Sequence, residues 1–201
     1  MYLEEQRRAH GKVLFTVTEL ANVAAVSRPV LNVELARLRR QGVIEKYAHG
    51  VYGLPNVITP AMLVAALDSH AYLTGSYVLY MHNLITQAPT RITCFTDRRS
   101  PRACERITSV GHFIFVCVRS RIYAQPAEGV VASPAQALCD FIYVTRRQGK
   151  LTKGMVTFRG LTAQAIPELD SIIARYPVTV QRQARALASG AIQLDRTKPP
   201  R

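Results

Sequence analysis

The sequence contains no tryptophan and only thirteen acids, against twenty-six lysines and arginines in 201 residues. The shortage of acids counts against a metal-dependent nuclease, which needs two or more converging carboxylates. After residue 58 the acids are Asp68, Asp97, Glu105, Glu128, Asp140, Glu168, Asp170 and Asp195, scattered along the chain. Glu168 and Asp170 stand two apart on an expected helix and do not face each other. No window approaches eighteen uninterrupted apolar residues, so no transmembrane helix is expected. The opening MYLEEQRRAHGK mixes charges of both signs, unlike a signal peptide. The four cysteines (Cys94, Cys104, Cys117 and Cys139) form no CxxC pair, and the five histidines do not cluster near them, which excludes the usual zinc spacings. They read as reduced, mostly buried thiols of a cytoplasmic protein, with Cys94 and Cys117 in apolar, strand-like runs. There is no GxSxG elbow, no P-loop and no GxGxxG. No catalytic residue, cofactor or metal is therefore expected.

What is present is positive charge on a chain able to fold. The formal net charge is +13, and 48% of the residues are hydrophobic. The first number favours a polyanionic partner. The second separates the chain from disordered basic tails.

The most structured stretch is SRPVLNVELARLRRQGVIEKYAHGVYGLP, from Ser27 to Pro55. Ser27 ahead of Arg28-Pro29 is a helix N-cap followed by a first-turn proline. Leu31, Leu35 and Leu38 then recur at helical spacing and form an apolar stripe. Pro29, Asn32, Val33, Ala36, Arg37 and Arg40 face away from it, and Gly42 stops the helix. Val43–Tyr47 reads as a strand, Ala48-His49-Gly50 as a turn and Val51–Leu54 as the returning strand. Upstream, residues 18–25 form a shorter helix with Leu20, Val23 and Ala24 inward, and residues 3–12 supply another. Helix, helix, turn, helix and hairpin is the order of a winged helix-turn-helix, whose second helix of the pair enters the major groove while the hairpin lies along the backbone. Asparagine can pair with adenine, valine and alanine methyls can touch thymine, and arginine can take guanine or phosphate. Candidate DNA-contacting residues are Ser27, Arg28, Asn32, Val33, Arg37, Arg40, Lys46, Tyr47 and His49.

This head is only mildly basic. The first 58 residues hold eight cations and five acids, a net of +3, which leaves +10 for the rest. Pro55–Pro60 reads as a hinge. Beyond it, helices are expected at 60–70, over SYVLYMHNL, from Pro134 to a stop at Gly149, and near 162–175 and 179–190. Strands are expected at 72–74, 91–96 and 112–118, the last of them central. His82 and Asp140 fall among apolar neighbours and read as core or boundary groups, Asp140 with a cap or an arginine as its partner. From Arg91 to Arg121 seven cations, all arginine, stand against two acids. Arginine suits bidentate phosphate or carboxylate binding, so Arg91, Arg98, Arg99, Arg102 and Arg106 are candidate phosphate- or partner-binding residues. The fold class expected is α+β: a winged helix-turn-helix over residues 1–57, a mixed α/β domain over 58–194 and a disordered tail over 195–201.

Three stretches together resemble the AbiEi-type antitoxins, transcriptional regulators of bacterial abortive-infection toxin–antitoxin operons. They are the N-terminal helices ending in HGVYGLP, the segment YLTGSYVLYMHNLITQAPTRITCFTDRR, and VASPAQALCDFIYVTRR, which is similar to that family's Ser-Pro-x-x-Ala-Leu-x-Asp helix. The middle segment departs from the pattern at Val78-Leu79, where a Ser-Ala pair is usual. The resemblance implies a repressor that binds double-stranded DNA at promoter inverted repeats. It also implies a C-terminal domain that counters a nucleotidyltransferase-like toxin, without a stable complex between the two. The competing expectations are a transcription factor with a ligand-sensing second domain, a nucleic-acid-processing enzyme, and a winged helix used for protein contact.

Overall fold

The computed structural model describes residues 2–99, 104–149, 156–161 and 168–189. The chain divides into two compact units, Met1–Ser69 with Ile107–Gly111, and His70–Arg106 with His112–Arg201. The expected tail from 195, and residues 162–167 of the helix expected near 162–175, lie outside the described residues. Across the described residues the chain is mixed, with helices and strands in both units.

The first unit begins with α1 (Tyr2–His10), β1 (Leu14–Thr16) and α2 (Val17–Ala24). Thr16 and Glu19 start α2 with a reciprocal capping box, in which each side chain serves the other's backbone N–H. Of the residues expected inward on α2 only Leu20 is buried, and Val23 and Ala24 are exposed. Ala25 takes a left-handed conformation (φ 51°) and turns the chain toward α3 (Arg28–Arg40). That helix ends in a Schellman motif: Val43 N–H donates to the Leu38 carbonyl and Gly42 N–H to that of Arg39, with Gly42 at φ 71°. The hairpin β2 (Glu45–Ala48) and β3 (Val51–Gly53) follows, and β3 pairs with β1 on its other side, giving the order β1-β3-β2. The strand Leu14–Thr16, which the sequence does not announce, is held in the sheet through Phe15↔Tyr52. Helix α4 (Pro60–Leu67), capped by Thr59, belongs to this unit and packs near β1.

Phe15, Leu20, Leu31, Leu35, Ile44 and Tyr52 form the core of these elements. Each such burial contributes on the order of 1.5–3 kcal/mol, and Tyr47, Leu54, Leu63 and Val64 in the same unit are buried as well. Gly53 is fixed by crowding: a Cβ there would lie 2.5 Å from the Val13 carbonyl oxygen.

In the second unit, β4 (Tyr72–Thr74) leads into α5 (Gly75–Met81), followed by β5 (Ile92–Thr96), the start of β6 (Glu105–Thr108) and all of β7 (Gly111–Cys117) but its first residue. The sheet order is β4-β5-β7-β6, with β4 antiparallel and β7 parallel to β5. Strand β7 is interior in this order, as expected, yet only Phe113 on it is fully buried. Its ladder is satisfied on both sides, but its faces are incompletely covered. Helix α6 (Pro134–Arg147), capped by Ser133, packs against β4, α5, α7 (Leu169–Ile173) and α8 (Val178–Ala188). Val78 and Leu79, where the resemblance fails, are wholly buried. His82 is an exposed C-cap of α5 rather than a core group.

Candidate nucleic-acid interface

Helix α3 divides as its periodicity requires. Leu31 and Leu35 enter the core, while Asn32, Val33, Ala36, Arg37, Arg39 and Arg40 are exposed, Val33 at 70%. Ser27 occupies the N-cap but its hydroxyl makes no capping bond, which leaves a polar atom at the exposed start of the helix. Arg28 is held by the preceding helix, its Nη2 donating to Thr18 Oγ1 at 3.2 Å. Arg37 is already engaged: Nε donates to Glu34 Oε2 at 3.0 Å and Nη2 to Glu34 Oε1 at 2.5 Å. This bidentate pair holds the Glu34 carboxyl below its ordinary range and raises the Arg37 guanidinium. To reach a base or phosphate, Arg37 must leave that carboxylate.

The hairpin presents fewer groups than the sequence suggested. Lys46 is exposed, and His49 is exposed at the turn, where the Gly50 carbonyl accepts from Val17 N–H at 2.9 Å and ties the tip to the start of α2. Tyr47 is not a surface group. It is 4% exposed, and its hydroxyl donates to the Leu54 carbonyl at 2.8 Å. Burial raises its phenol pKa. A register shift between Lys46 and Ala48 leaves Tyr47 without a paired residue on β3, and its side chain turns inward while Lys46 stays exposed. On α3 and β2 the exposed cations Arg28, Arg37, Arg39, Arg40 and Lys46 outnumber the partly exposed Glu34 and Glu45. Glu19 is spent locally: Lys12 Nζ at 2.5 Å, together with the Thr16 N–H, lowers its pKa.

The arginines expected to form one patch do not gather. Arg91 precedes β5 and Arg98 and Arg99 follow it, so they lie at opposite ends of a five-residue strand. Arg106 lies on β6, half-buried, with Nη1 donating to the Glu105 carbonyl. Arg102 lies outside the described residues. Among the described candidates only Arg99 joins a larger group, in a cleft it shares with Arg119, Arg121, Arg147 and Arg175. Sequence reasoning had counted Arg119 and Arg121 only as part of a charged segment and had not singled out Arg147 or Arg175.

The cysteine expectation holds in part. All four are free; Cys94 and Cys139 are buried, whereas Cys104 and Cys117 are exposed. Cys117 ends β7, where the sheet stops and cover is lost. Among the described residues no group of three or more His, Cys, Asp or Glu could hold a metal ion. None of the helices they form is long and apolar enough to cross a membrane.

Asp140 on α6 is wholly buried. Its Oδ2 accepts from Thr74 Oγ1 at 2.7 Å and Tyr72 Oη at 3.2 Å, and its Oδ1 from Tyr176 Oη at 2.6 Å. Three hydroxyls thus meet it directly, and of the cap or arginine that was expected Arg175 acts on it through its charge, lowering its pKa. Burial outweighs these donors and pushes its pKa up to about 7. The group ties β4 to α6 and to the α7–α8 turn.

Residues 3–55 match the family described as "Transcriptional regulator, AbiEi antitoxin". That span covers α1 to β3 and supports the resemblance read from the residues. No curated protein matches the chain.

Proposed function

We propose that this chain is a DNA-binding antitoxin that represses its own operon. On this reading α2 and α3 form a helix-turn-helix and β2–β3 its wing. Helix α3 enters the major groove of promoter inverted repeats, with Asn32 on a base edge and the Val33 and Ala36 methyls against thymine. Arg28, Arg40 and Lys46 hold phosphates, Ser27 and His49 lie close enough to assist, and Arg37 exchanges Glu34 for the DNA. The second unit supplies the function that counters a nucleotidyltransferase-like toxin. The observation that carries the proposal is the solvent-facing side of α3, small and polar at its start and cationic at its end, on a helical pair that falls within the AbiEi match.

The test is a salt titration of binding to the DNA immediately upstream of the gene, against a scrambled duplex. Selective binding with a steep salt slope is expected, because each neutralised phosphate releases counterions. Weak binding, equal on both duplexes, would refute it. The exposed Val26, Val30 and Val33 would then assign this face to a protein contact.

A further inference from the structure

Strands β5 and β7 run parallel and side by side, so both release the chain at the same end of the sheet. In open α/β sheets, ligands bind in the crevice outside the carboxyl ends of such strands. Here Asp97 and Arg99, after β5, and the segment from Cys117 to Ile122, after β7, line a cleft of about 1020 Å³. The last turn of α6 adds Tyr143 and Arg147, and the α7–α8 turn adds Arg175.

Five guanidiniums and one carboxylate therefore share a single concavity, a net of +4. Asp97 is itself engaged, its Oδ1 2.9 Å from His70 Nδ1. Among the described residues no ion pair joins Arg99, Arg119, Arg121, Arg147 or Arg175 to an acid. Arg147 lies over the Tyr143 ring, 5.6 Å from its centroid, which fixes its stem at the cleft wall. Asp97 in the cleft and the buried Asp140, which interacts with Arg175, offset only part of this charge; gathering the remaining cations is unfavourable, and the hydrophobic core does not require it.

We propose that this cleft binds a compact polyphosphate: a nucleoside triphosphate or a free polyphosphate chain. The arginine fork matches phosphate oxygens bidentately. Arginines drawn from four separate segments exceed what one phosphate can engage, so the ligand carries at least two. The volume stands at the upper end of small-molecule pockets, roughly 300–1,000 Å³. A duplex presents its phosphates along a convex rod, whereas these cations surround a hollow. The inference concerns the second unit and is independent of DNA binding by the first.

The experiment is calorimetric titration of the full chain with tripolyphosphate, ATP, GTP and orthophosphate. One saturable site for tripolyphosphate is expected, with orthophosphate at least about tenfold weaker. The exposed pair Arg119→Ala/Arg121→Ala should lose about tenfold or more, the scale of charged hydrogen bonds. Arg146→Ala and Arg182→Ala, outside the cleft, should change nothing. Near-UV circular dichroism confirms folding, and Arg119→Gln alone replaces the pair if it fails to fold. A nucleotide that binds more tightly than tripolyphosphate identifies nucleotides as the ligand class; equal affinity identifies the free chain. Absence of saturation, equal losses in the control variants, or displacement of tripolyphosphate by a short DNA duplex would each overturn the assignment.

Discussion

Replacing Asp140 by asparagine tests the buried hub of the second unit. The carboxyl is wholly enclosed, and burial lifts its pKa from an ordinary 3.8 to about 7. Between these values the folded state keeps a proton that the unfolded chain has released. Stability therefore falls as pH rises through this window, being greatest below about pH 4 and lowest once pH passes 7. The gap of about three pKa units corresponds to ~4 kcal/mol at ~1.4 kcal/mol per unit. Asparagine is neutral throughout, and the three hydroxyls can rotate to donate to its oxygen or accept from its amide. Urea unfolding of both proteins at several pH values from 4 to 8 isolates the effect, because histidines and surface acids cancel in the difference. The stability of Asp140→Asn relative to the parent should rise by roughly 4 kcal/mol from pH 4 to 7.5. A difference that stays flat, or falls, would show that the three donors outweigh burial and that the carboxyl is ionised when folded.

Tyr47→Phe should lower stability by about 1 kcal/mol, by stranding the Leu54 carbonyl, and should leave affinity for upstream DNA unchanged; a selective loss of DNA binding would return Tyr47 to the interface. Gly53→Ala should cost about 1–3 kcal/mol in thermal or urea unfolding, since the new Cβ meets the backbone of Val13 rather than a flexible side chain; an unchanged midpoint would mean that β1 and β3 can part at no cost. Glu34→Gln frees Arg37 and removes an acid from the α3 face, so affinity for DNA should rise and the salt slope steepen, as a fluorescence-anisotropy titration would show; weaker binding would mean that the Glu34–Arg37 pair positions the arginine. Asn32→Ala should weaken specific binding by about 1–3 kcal/mol and nonspecific binding far less, and equal losses on both duplexes would exclude a base contact.

Local chemistry was legible in the sequence. A leucine repeat, a proline in the first turn and Gly42 fix α3 wherever it packs, because helix periodicity and capping act within a few residues. Ser133-Pro134 and Gly149 bracket α6 for the same reason. The inward placement of Tyr47 was not legible, since it lies at a register shift in β2 where simple alternation does not hold. Other features had no local signal. The pairing of β1 with β3 joins residues nearly forty apart, and the partners of Asp140 come from Tyr72, Thr74 and Tyr176. Charge counting along the chain placed Arg91 with Arg99, and a strand keeps them apart. It separated Arg99 from Arg147 and Arg175, and the parallel strands with their flanking helices bring these together. The sequence by itself determined the periodicity and stops of α3 and α6, the mild charge of the first unit and the strong charge of the second. Only the tertiary structure decided which arginines share a cavity, because convergence depends on where strands end, and strand ends are set by pairing across the sheet.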